Sequence, residues 1–252
     1  MSKRILEAAI YSHSDKNTYS AKEVADKVMR CYRAGAAIVH VHVTKLKSMA
    51  EFLKLVDILE KNNGPKLSLS SSDFERFLNE KDGDYACVKY ASLDVGKFIL
   101  FGNEHEIPFE TTIKNMEMLL AENLCPEICI FNQEGINECI KLQELFPNRF
   151  LVGIYMGYPD SMEATQENML KVIDGLKDIN YKLLTILDNN EKMVDLIKLA
   201  VMNGFNVRCG EEDGYRLSMK DSEILVNRMV GLVKECDFEV EKDADAFMKE
   251  LN

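Results

Sequence analysis

The chain has 252 residues, of which 46% are hydrophobic and 29% are charged, with 13 glycines and 5 prolines. This is the composition of an ordinary globular protein, and it excludes extended disorder and fibrous repeats. The 42 acidic residues outnumber the 31 basic ones and give a net charge of −11, which disfavours nucleic acid and anionic membrane surfaces as partners. We therefore expect a small-molecule ligand.

The cysteines and the apolar runs indicate the compartment. Seven cysteines are present, an odd number, and none forms a C-x-x-C pair, so neither a disulfide framework nor a zinc ribbon is expected. The first residues lack the pattern of a signal peptide. No apolar run approaches the roughly 18 residues that cross a bilayer. The sequence thus predicts a cytoplasmic protein that does not enter the membrane.

Eight short apolar runs predict strands, and amphipathic segments between them predict helices. The strands are expected at residues 5–11, 36–43, 66–71, 85–91, 127–131, 149–155, 182–187 and 206–210. Ser20 and Glu23 have the spacing of a capping box at the start of the first helix, and Ser48 and Glu51 repeat it. The later helices are expected at residues 112–123, 136–146, 165–176, 192–203 and 221–234.

The strand–helix unit recurs about every 30 residues, which predicts right-handed crossovers and a parallel sheet. Eight units in about 250 residues match the size of a closed (β/α)8 TIM barrel, an α/β fold. No linker or shift in composition divides the chain. We therefore expect one barrel domain over residues 1–252, with residues 238–252 as a C-terminal extension.

Two histidines lie at the carboxyl end of the second predicted strand. His40 and His42 are two residues apart in an otherwise apolar run, and because side chains alternate along a strand, both face the barrel interior. Active sites of such barrels are built at this end of the strands. A single buried histidine is more often a core residue, but two neighbouring imidazoles suit a metal ion. The pair predicts a metal site.

The last predicted strand supplies a third ligand. Alternation places Arg208, Gly210 and Glu212 on one face, with Asp213 beside Glu212 at the strand end. A solvated acidic loop is the alternative, but a guanidinium inside a barrel needs a carboxylate or an anionic ligand. Two imidazoles and one carboxylate leave coordination positions open, as in catalytic zinc sites. Zn²⁺ is the predicted metal, although iron or nickel would accept the same ligands.

Candidate substrate contacts lie on the third and fourth strands. Ser70 belongs to a run of serines at period two, whose hydroxyls would bind a substrate carboxylate or local backbone. Cys87 and Lys89 share a face, and an inward lysine would bind an anionic substrate end unless it extends to solvent. His13 would lie near the barrel mouth or on a surface loop. The motifs of ATP, nicotinamide and serine-hydrolase sites are absent from the sequence.

Several of these segments together resemble the β-keto acid cleavage enzymes. The resemblance is carried by Ala-Gly-Ala-x-x-x-His-x-His at 34–42, by Arg-x-Gly-x-Glu-Asp at 208–213, and by shorter segments at 8–10, 69–71 and 126–128. It implies a (β/α)8 barrel in which the two histidines and Glu212 bind a divalent metal, generally zinc. It also implies that Arg208 and Asp213 take part in proton transfer and that Ser70 contacts the substrate carboxylate.

The chain departs from the family pattern around these residues. The acidic residue that contacts the substrate amine in the aminohexanoate-cleaving members aligns with Ser14. The strand-four threonine and asparagine align with Cys87 and Lys89, and the strand-five glutamate aligns with Cys129. In the serine-rich turn, a family glycine falls on Asp73.

The resemblance implies a metal-dependent retro-Claisen exchange, in which a β-keto acid and acetyl-CoA give acetoacetate and a new acyl-CoA. It also implies a homo-oligomer, a tetramer or a dimer. One alternative is a metal-dependent aldolase or lyase acting on another oxo acid. A second is a relative that binds a metal and a small anion without turnover.

Overall fold

Parallel strands close into a barrel, as the alternation of strands and helices predicts. The computed structural model describes residues 3–11, 15–186, 193–213 and 221–251. Within these ranges eight strands form one closed sheet, and every neighbouring pair in it is parallel. The predicted fold class, an α/β (β/α)8 TIM barrel, is confirmed.

The strands of the described ranges are numbered in chain order. They are β1 (Lys3–Arg4), β2 (Leu6–Ala9), β3 (Ile38–Val41), β4 (Lys66–Leu69), β5 (Val88–Asp94), β6 (Gly96–Leu100), β7 (Asn103–Ile107), β8 (Cys125–Ile130), β9 (Leu151–Met156), β10 (Lys182–Ile186), β11 (Phe205–Gly210) and β12 (Glu239–Val240). The barrel closes in the order β10-β11-β2-β3-β4-β5-β8-β9. Each predicted strand overlaps one barrel strand; residue 187 lies outside the described residues.

A helix follows each barrel strand. The helices are α1 (Ala21–Ala34), α2 (Met49–Lys61), α3 (Phe74–Glu80), α4 (Phe109–Ala121), α5 (Gln133–Leu145), α6 (Gln166–Gly175), α7 (Val194–Met202), α8 (Ser222–Glu235) and, after the barrel, α9 (Ala244–Leu251). None of the helices in the described part of the chain has the length and apolarity needed to span a bilayer.

The two predicted capping boxes differ in outcome. At α1, the Ser20 side chain accepts from the Glu23 amide while the Glu23 carboxylate accepts from the Ser20 amide. At α2, Ser48 accepts from the Glu51 amide, but the Glu51 carboxylate accepts instead from the Ala21 amide at 3.0 Å. Glu51 therefore links the first turns of α1 and α2 rather than completing its own capping box.

An antiparallel hairpin of β6 and β7 follows β5, and the sequence analysis did not predict it. Phe98 of this hairpin stacks on Phe131, just beyond the end of β8, with 4.5 Å between the ring centroids. At the tip, the Gly102 amide donates to Asp160 Oδ2 at 3.1 Å. The hairpin is thus held against the carboxyl end of the barrel.

The last described residues close the opposite end. Strand β12 pairs in parallel with β1, and Phe247 of α9 lies edge-on to Tyr181 with 6.1 Å between ring centroids. Phe247 also belongs to a buried apolar cluster that includes Ile5 and Tyr90. Apolar side chains of the C-terminal segment therefore cover the amino end of the barrel.

Candidate metal centre

His40, His42 and Glu212 converge at the carboxyl end of the barrel. One ligand atom from each lies within 4.8 Å of the others. Glu212 Oε1 is 3.5 Å from His42 Nε2, and Glu212 Oε2 is 3.8 Å from His40 Nε2. All three side chains are largely buried. The structure therefore brings together the three residues that strand alternation selected as ligands.

The turn after β3 positions His42. His42 caps a short 3₁₀ helix at Val43–Lys45, and the buried carboxylate of Asp73 accepts from the Val43 amide at 2.8 Å. The same carboxylate lies 3.8 Å from His42 Nδ1. Asp73 is therefore directed toward the histidine segment and not toward an incoming substrate, which explains how an acidic residue fits in this turn.

Ser68 lies next to His40, its register partner on β4. Ser68 Oγ is 3.5 Å from His40 Nδ1 and donates to Glu127 Oε2 at 3.2 Å. Because the serine proton points to Glu127, the oxygen lone pair is directed to Nδ1. This arrangement favours the tautomer with the proton on Nδ1, and it leaves the Nε2 lone pair for a metal.

Arg208 occupies the centre of the barrel and contacts three carboxyl groups. Its guanidinium lies 3.0 Å from Glu212 Oε1, 3.2 Å from Asp213 Oδ2 and 3.3 Å from Glu7 Oε1. It also donates to the Tyr155 hydroxyl at 3.0 Å. The side chain is 2% exposed. A charge buried this deeply needs such partners, because burying a guanidinium without them costs on the order of several kcal/mol.

Gly210 allows β11 to approach β2 between Arg208 and Glu212. A Cβ atom at this position would lie 2.0 Å from the carbonyl oxygen of Ala9, and the residue has a φ of +155°. Both features require glycine. The glycine of the Arg-x-Gly-x-Glu-Asp segment therefore has a steric role that places the guanidinium and the ligand on the same side.

Asp213 lies behind the ligands, 2% exposed. Its Oδ1 accepts from the Tyr158 hydroxyl at 2.7 Å and from Arg208 Nη2 at 3.3 Å. Burial raises the pKa of this carboxyl group, while the positive charge of Arg208 opposes the shift. A carboxylate with a raised pKa and fixed donors is suited to accept a proton from a substrate.

Two further carboxyl groups, Glu7 and Glu127, lie inside the barrel with 0% exposure. Burial is the main cause that raises the pKa of each, and the negative charge of Glu127 adds to the effect on Glu7. Glu127 Oε1 lies close to Gly153, and a Cβ atom added to this glycine would be only 2.8 Å from the oxygen. Among the described residues this oxygen has no hydrogen-bond partner. The pair favours the protonated form, because neutral carboxyl groups are less costly to bury.

We expect the variant Glu127→Gln to become more stable relative to the parent as the pH rises. The folded parent keeps the Glu127 proton above the ordinary glutamate pKa, where the unfolded chain has already lost it, so its unfolding free energy falls as the pH rises toward the folded pKa. Glutamine does not titrate and lacks this cost. Urea unfolding of metal-free protein between about pH 4.5 and pH 8 measures the difference.

The matched control is Glu167→Gln on α6. Glu167 is exposed, and the hydrogen bond to Lys171 lowers its pKa. Its contribution to the unfolding free energy therefore changes with pH in the opposite direction, and solvent screening keeps that contribution small. A stability difference between Glu127→Gln and the parent that stays constant with pH would contradict a raised pKa at Glu127.

A cavity of about 340 Å³ opens beside the cluster. Its polar lining comes from His40, His42, Glu212 and Arg208 on one side, and from Ser70, Ser71, Ser72, Ser92 and Asp94 on the other. Leu100 and Phe101 of the hairpin, with Phe131, Tyr155 and Tyr158, supply most of the apolar lining. The cavity has the size and the mixed chemistry of a small-molecule site.

The prediction that Cys87 and Lys89 face this cavity is wrong. Lys89 Nζ donates to the Asn123 carbonyl oxygen at 3.2 Å, outside the barrel, and the buried Cys87 thiol is directed toward Val56 of α2. Strand β5 begins at residue 88 and shifts register against β4, so beyond the shift the inner face carries Tyr90, Ser92 and Asp94. Ser70, in contrast, lies in the cavity lining, as predicted from strand alternation.

Sequence reasoning missed Ser92 and Asp94, which occupy the inner face of β5 at the cavity. It also missed Tyr155, Tyr158 and the interior carboxyl of Glu127. The signal for Ser92 and Asp94 was their spacing of two at a strand end, the same spacing that identified the histidines. His13 and Ser14 lie outside the described residues.

The donor set fits a divalent metal ion. Ligand atoms bound at about 2.1 Å to a tetrahedral ion lie about 3.4 Å apart, and the distances of 3.5 and 3.8 Å from Glu212 to the two imidazoles are close to this value. Two neutral imidazoles and a carboxylate accept zinc, and iron or nickel almost equally well. The three residues would hold the ion with further coordination positions open.

A sequence model of the β-keto acid cleavage enzyme family matches residues 5–246. This range includes the metal-ligand cluster and all eight barrel strands. The chain belongs to this family.

Two relatives carry the same name. The 3-keto-5-aminohexanoate cleavage enzyme of Fusobacterium nucleatum subsp. nucleatum is 25% identical, and the alignment covers 95% of this chain and 94% of that protein. The enzyme of that name from Acetoanaerobium sticklandii is 25% identical, with 93% of each chain covered.

Among solved structures, the binary complex of ObcA with oxaloacetate superposes with a TM-score of 0.67 at 13% identity. The aligned part covers 90% of this chain and spans 65% of that longer chain. At this identity the likeness shows the barrel fold alone.

Proposed function

We propose that this protein cleaves a β-keto acid by retro-Claisen exchange with acetyl-CoA, giving acetoacetate and a new acyl-CoA. The observation that carries the proposal is the position of the His40, His42 and Glu212 cluster beside the Arg208–Asp213 pair, at the mouth of a barrel of this family. The two relatives named as 3-keto-5-aminohexanoate cleavage enzymes support a substrate of this class.

His40, His42 and Glu212 would hold a divalent ion, most simply Zn²⁺. When bound, the ion supplies a Lewis acid for the keto oxygen of the substrate. Arg208 contacts the Glu212 carboxylate at 3.0 Å, so it both orients this ligand and offsets its negative charge. Ser70 Oγ, directed into the cavity, would donate to the substrate carboxylate.

Asp213 would act as the general base. Arg208 and Tyr158 fix both of its carboxylate oxygens, which sets the direction in which a proton can be accepted. Tyr158, whose hydroxyl donates to Asp213, also lines the cavity, so it would connect Asp213 with a bound substrate. In the exchange, the C–C bond between the keto carbon and the carboxylate-bearing carbon breaks, and the acyl group passes to the CoA sulfur. The acetyl group that leaves this sulfur forms a new C–C bond with the remaining acetate fragment, which gives acetoacetate.

The seven cysteines are all free thiols. Five of them are buried. Free thiols and a CoA substrate both suit a reducing cytoplasm, and we propose that location.

The test is a panel of β-keto acids with acetyl-CoA, using metal-loaded protein and measuring acetoacetate and acyl-CoA by mass spectrometry. We expect at least one pair of products. Asp213→Asn should lower kcat by about 10²- to 10⁴-fold, the usual contribution of a general base. Metal content should be retained, because Asp213 is not in the ligand cluster.

Asp174→Asn, an exposed substitution of the same kind on α6, serves as the control. If metal-loaded protein gives no acyl-CoA with any member of the panel, the proposed exchange is overturned. A different cleavage, such as release of an aldehyde, would instead identify an aldolase.

A further inference from the structure

Asp94 presents a carboxylate to the cavity at the carboxyl end of β5. It lines the same cavity as the metal-ligand cluster, and its Oδ2 accepts from Ser71 Oγ at 2.9 Å. In the closed sheet of eight strands, β5 lies four strands away from β11. Asp94 therefore lies across the barrel from the strand that carries Arg208.

Among the described residues, the lining of the cavity offers no lysine to an anionic group. Arg208 is the one Lys or Arg side chain in its described lining, and its guanidinium is already engaged by Glu7, Glu212 and Asp213. Asp94 itself forms no ion pair among the described residues. The described lining on the β5 side of the cavity thus holds a carboxyl group and no Lys or Arg side chain.

The polar groups around Asp94 are hydroxyls, which can both donate and accept hydrogen bonds. Ser71 and Ser92 place hydroxyl oxygens in the same lining as the carboxylate, while Leu100 and Phe101 close the site from the hairpin. A protonated amine carries three N–H donors, which one carboxylate and neighbouring hydroxyl oxygens can accept together. Burial raises the pKa of Asp94, opposed by the Ser71 hydrogen bond and the charge of His105, and a bound cation would further favour the ionised form.

We propose that Asp94 selects β-keto acids whose end remote from the ligand cluster carries a protonated amine. The proposal rests on the proposed function for the reaction and adds the residue that determines the charge of the substrate. It replaces the expectation, based on Lys89, that this end is anionic. In the family pattern, the acidic residue that contacts an amine follows the first strand and aligns with Ser14, so this chain would bind the amine from β5 instead.

The test compares three β-keto acids that differ in charge at the remote end: 3-keto-5-aminohexanoate, 3-ketohexanoate and 3-ketoadipate. With the parent we expect kcat/KM to be highest for the amine and lowest for the dianion. Asp94→Asn keeps the shape and removes the charge, so the ratio of kcat/KM between amine and neutral substrates should fall at least tenfold, about 1.4 kcal/mol. Most of the change should appear in KM, because the contact is made before and after the reacting step.

Asp160→Asn is the matched control, since Asp160 accepts from the hairpin at Gly102 but is not in the cavity lining. Its amine-to-neutral ratio should equal that of the parent. An Asp94→Asn ratio equal to that of the parent, or a parent preference for the neutral or dianionic substrate, would overturn the proposal.

A binding measurement separates this proposal from the reaction itself. Calorimetry of the metal-loaded parent and Asp94→Asn with 3-hydroxy-5-aminohexanoate and 3-hydroxyhexanoate requires no turnover. Tighter binding of the amine by the parent, reduced at least tenfold in Asp94→Asn, would support selection by Asp94 even if no keto acid is cleaved. Equal binding of both compounds by the parent would refute it, whatever the outcome of the acetyl-CoA assay.

Discussion

The double variant His40→Ala, His42→Ala should lose the metal. We expect the parent, purified without chelators, to carry about one divalent ion per chain, and the double variant to carry less than about a tenth of that amount. The double variant removes two of the three clustered ligands. Loss of a single outer-shell partner typically lowers metal affinity by about 10- to 100-fold. Loss of two direct ligands should lower it much further, so Glu212 alone should not retain the ion. Elemental analysis measures the content and identifies the metal.

His105→Ala is the control for this experiment. His105 stacks on Phe98 of the hairpin, with 4.9 Å between ring centroids, and lies outside the ligand cluster. Its metal content should equal that of the parent, and circular dichroism should show that all variants keep the fold. An unchanged metal content in the double variant would refute the site.

The barrel and the ligands could be predicted because both depend on the alternation of side chains along short strands. All eight strands are apolar runs of similar length separated by helical patterns, and closure of the sheet follows from their number. His40 and Glu212 needed only the parity of their own strands, β3 and β11, since the carboxyl ends of parallel strands meet at one mouth.

The fourth barrel strand could not be placed in the same way. The sequence around residues 85–94 supports a strand at several starting points, and a shift of one residue exchanges the inner and outer faces. The register shift between β4 and β5 decides the outcome. It moves Lys89 outside and brings Asp94 to the cavity, so an error in one strand end reversed the predicted charge of the substrate.

Contacts between residues that lie far apart in the chain could not be predicted from the sequence either. Asp73 aligns with a family glycine, and alignment alone would place its charge near the substrate. The structure directs the carboxylate to the Val43 amide instead. The hairpin of β6 and β7 has no counterpart in a regular strand–helix alternation, and its contribution to the cavity through Phe101 depends on packing against Tyr158.

The variant Arg208→Met should be the least stable of the substitutions considered. It removes the cation shared by Glu7, Glu212 and Asp213, each of which lies within 3.3 Å of the guanidinium. Removing one partner from a buried ion pair typically costs about 3–5 kcal/mol, here because the charges of Glu212 and Asp213 stay desolvated. We expect a loss of this size in the unfolding free energy, measured in urea with a chelator present so that bound metal does not contribute.

Arg208→Lys tests whether charge alone explains the effect. Lysine keeps the positive charge but has a single nitrogen, which cannot meet Glu7, Glu212, Asp213 and the Tyr155 hydroxyl in the geometry of a planar guanidinium. Its unfolding free energy should lie between those of Arg208→Met and the parent, and kcat in the acetyl-CoA assay should fall because the Asp213 carboxylate loses two donors. Arg4→Lys is the matched control, because Arg4 donates to the Val201 carbonyl at the other end of the barrel. This variant should have the same kcat as the parent. If Arg208→Lys matched the parent in both stability and kcat, the guanidinium geometry would have no role and charge alone would organise the carboxylates.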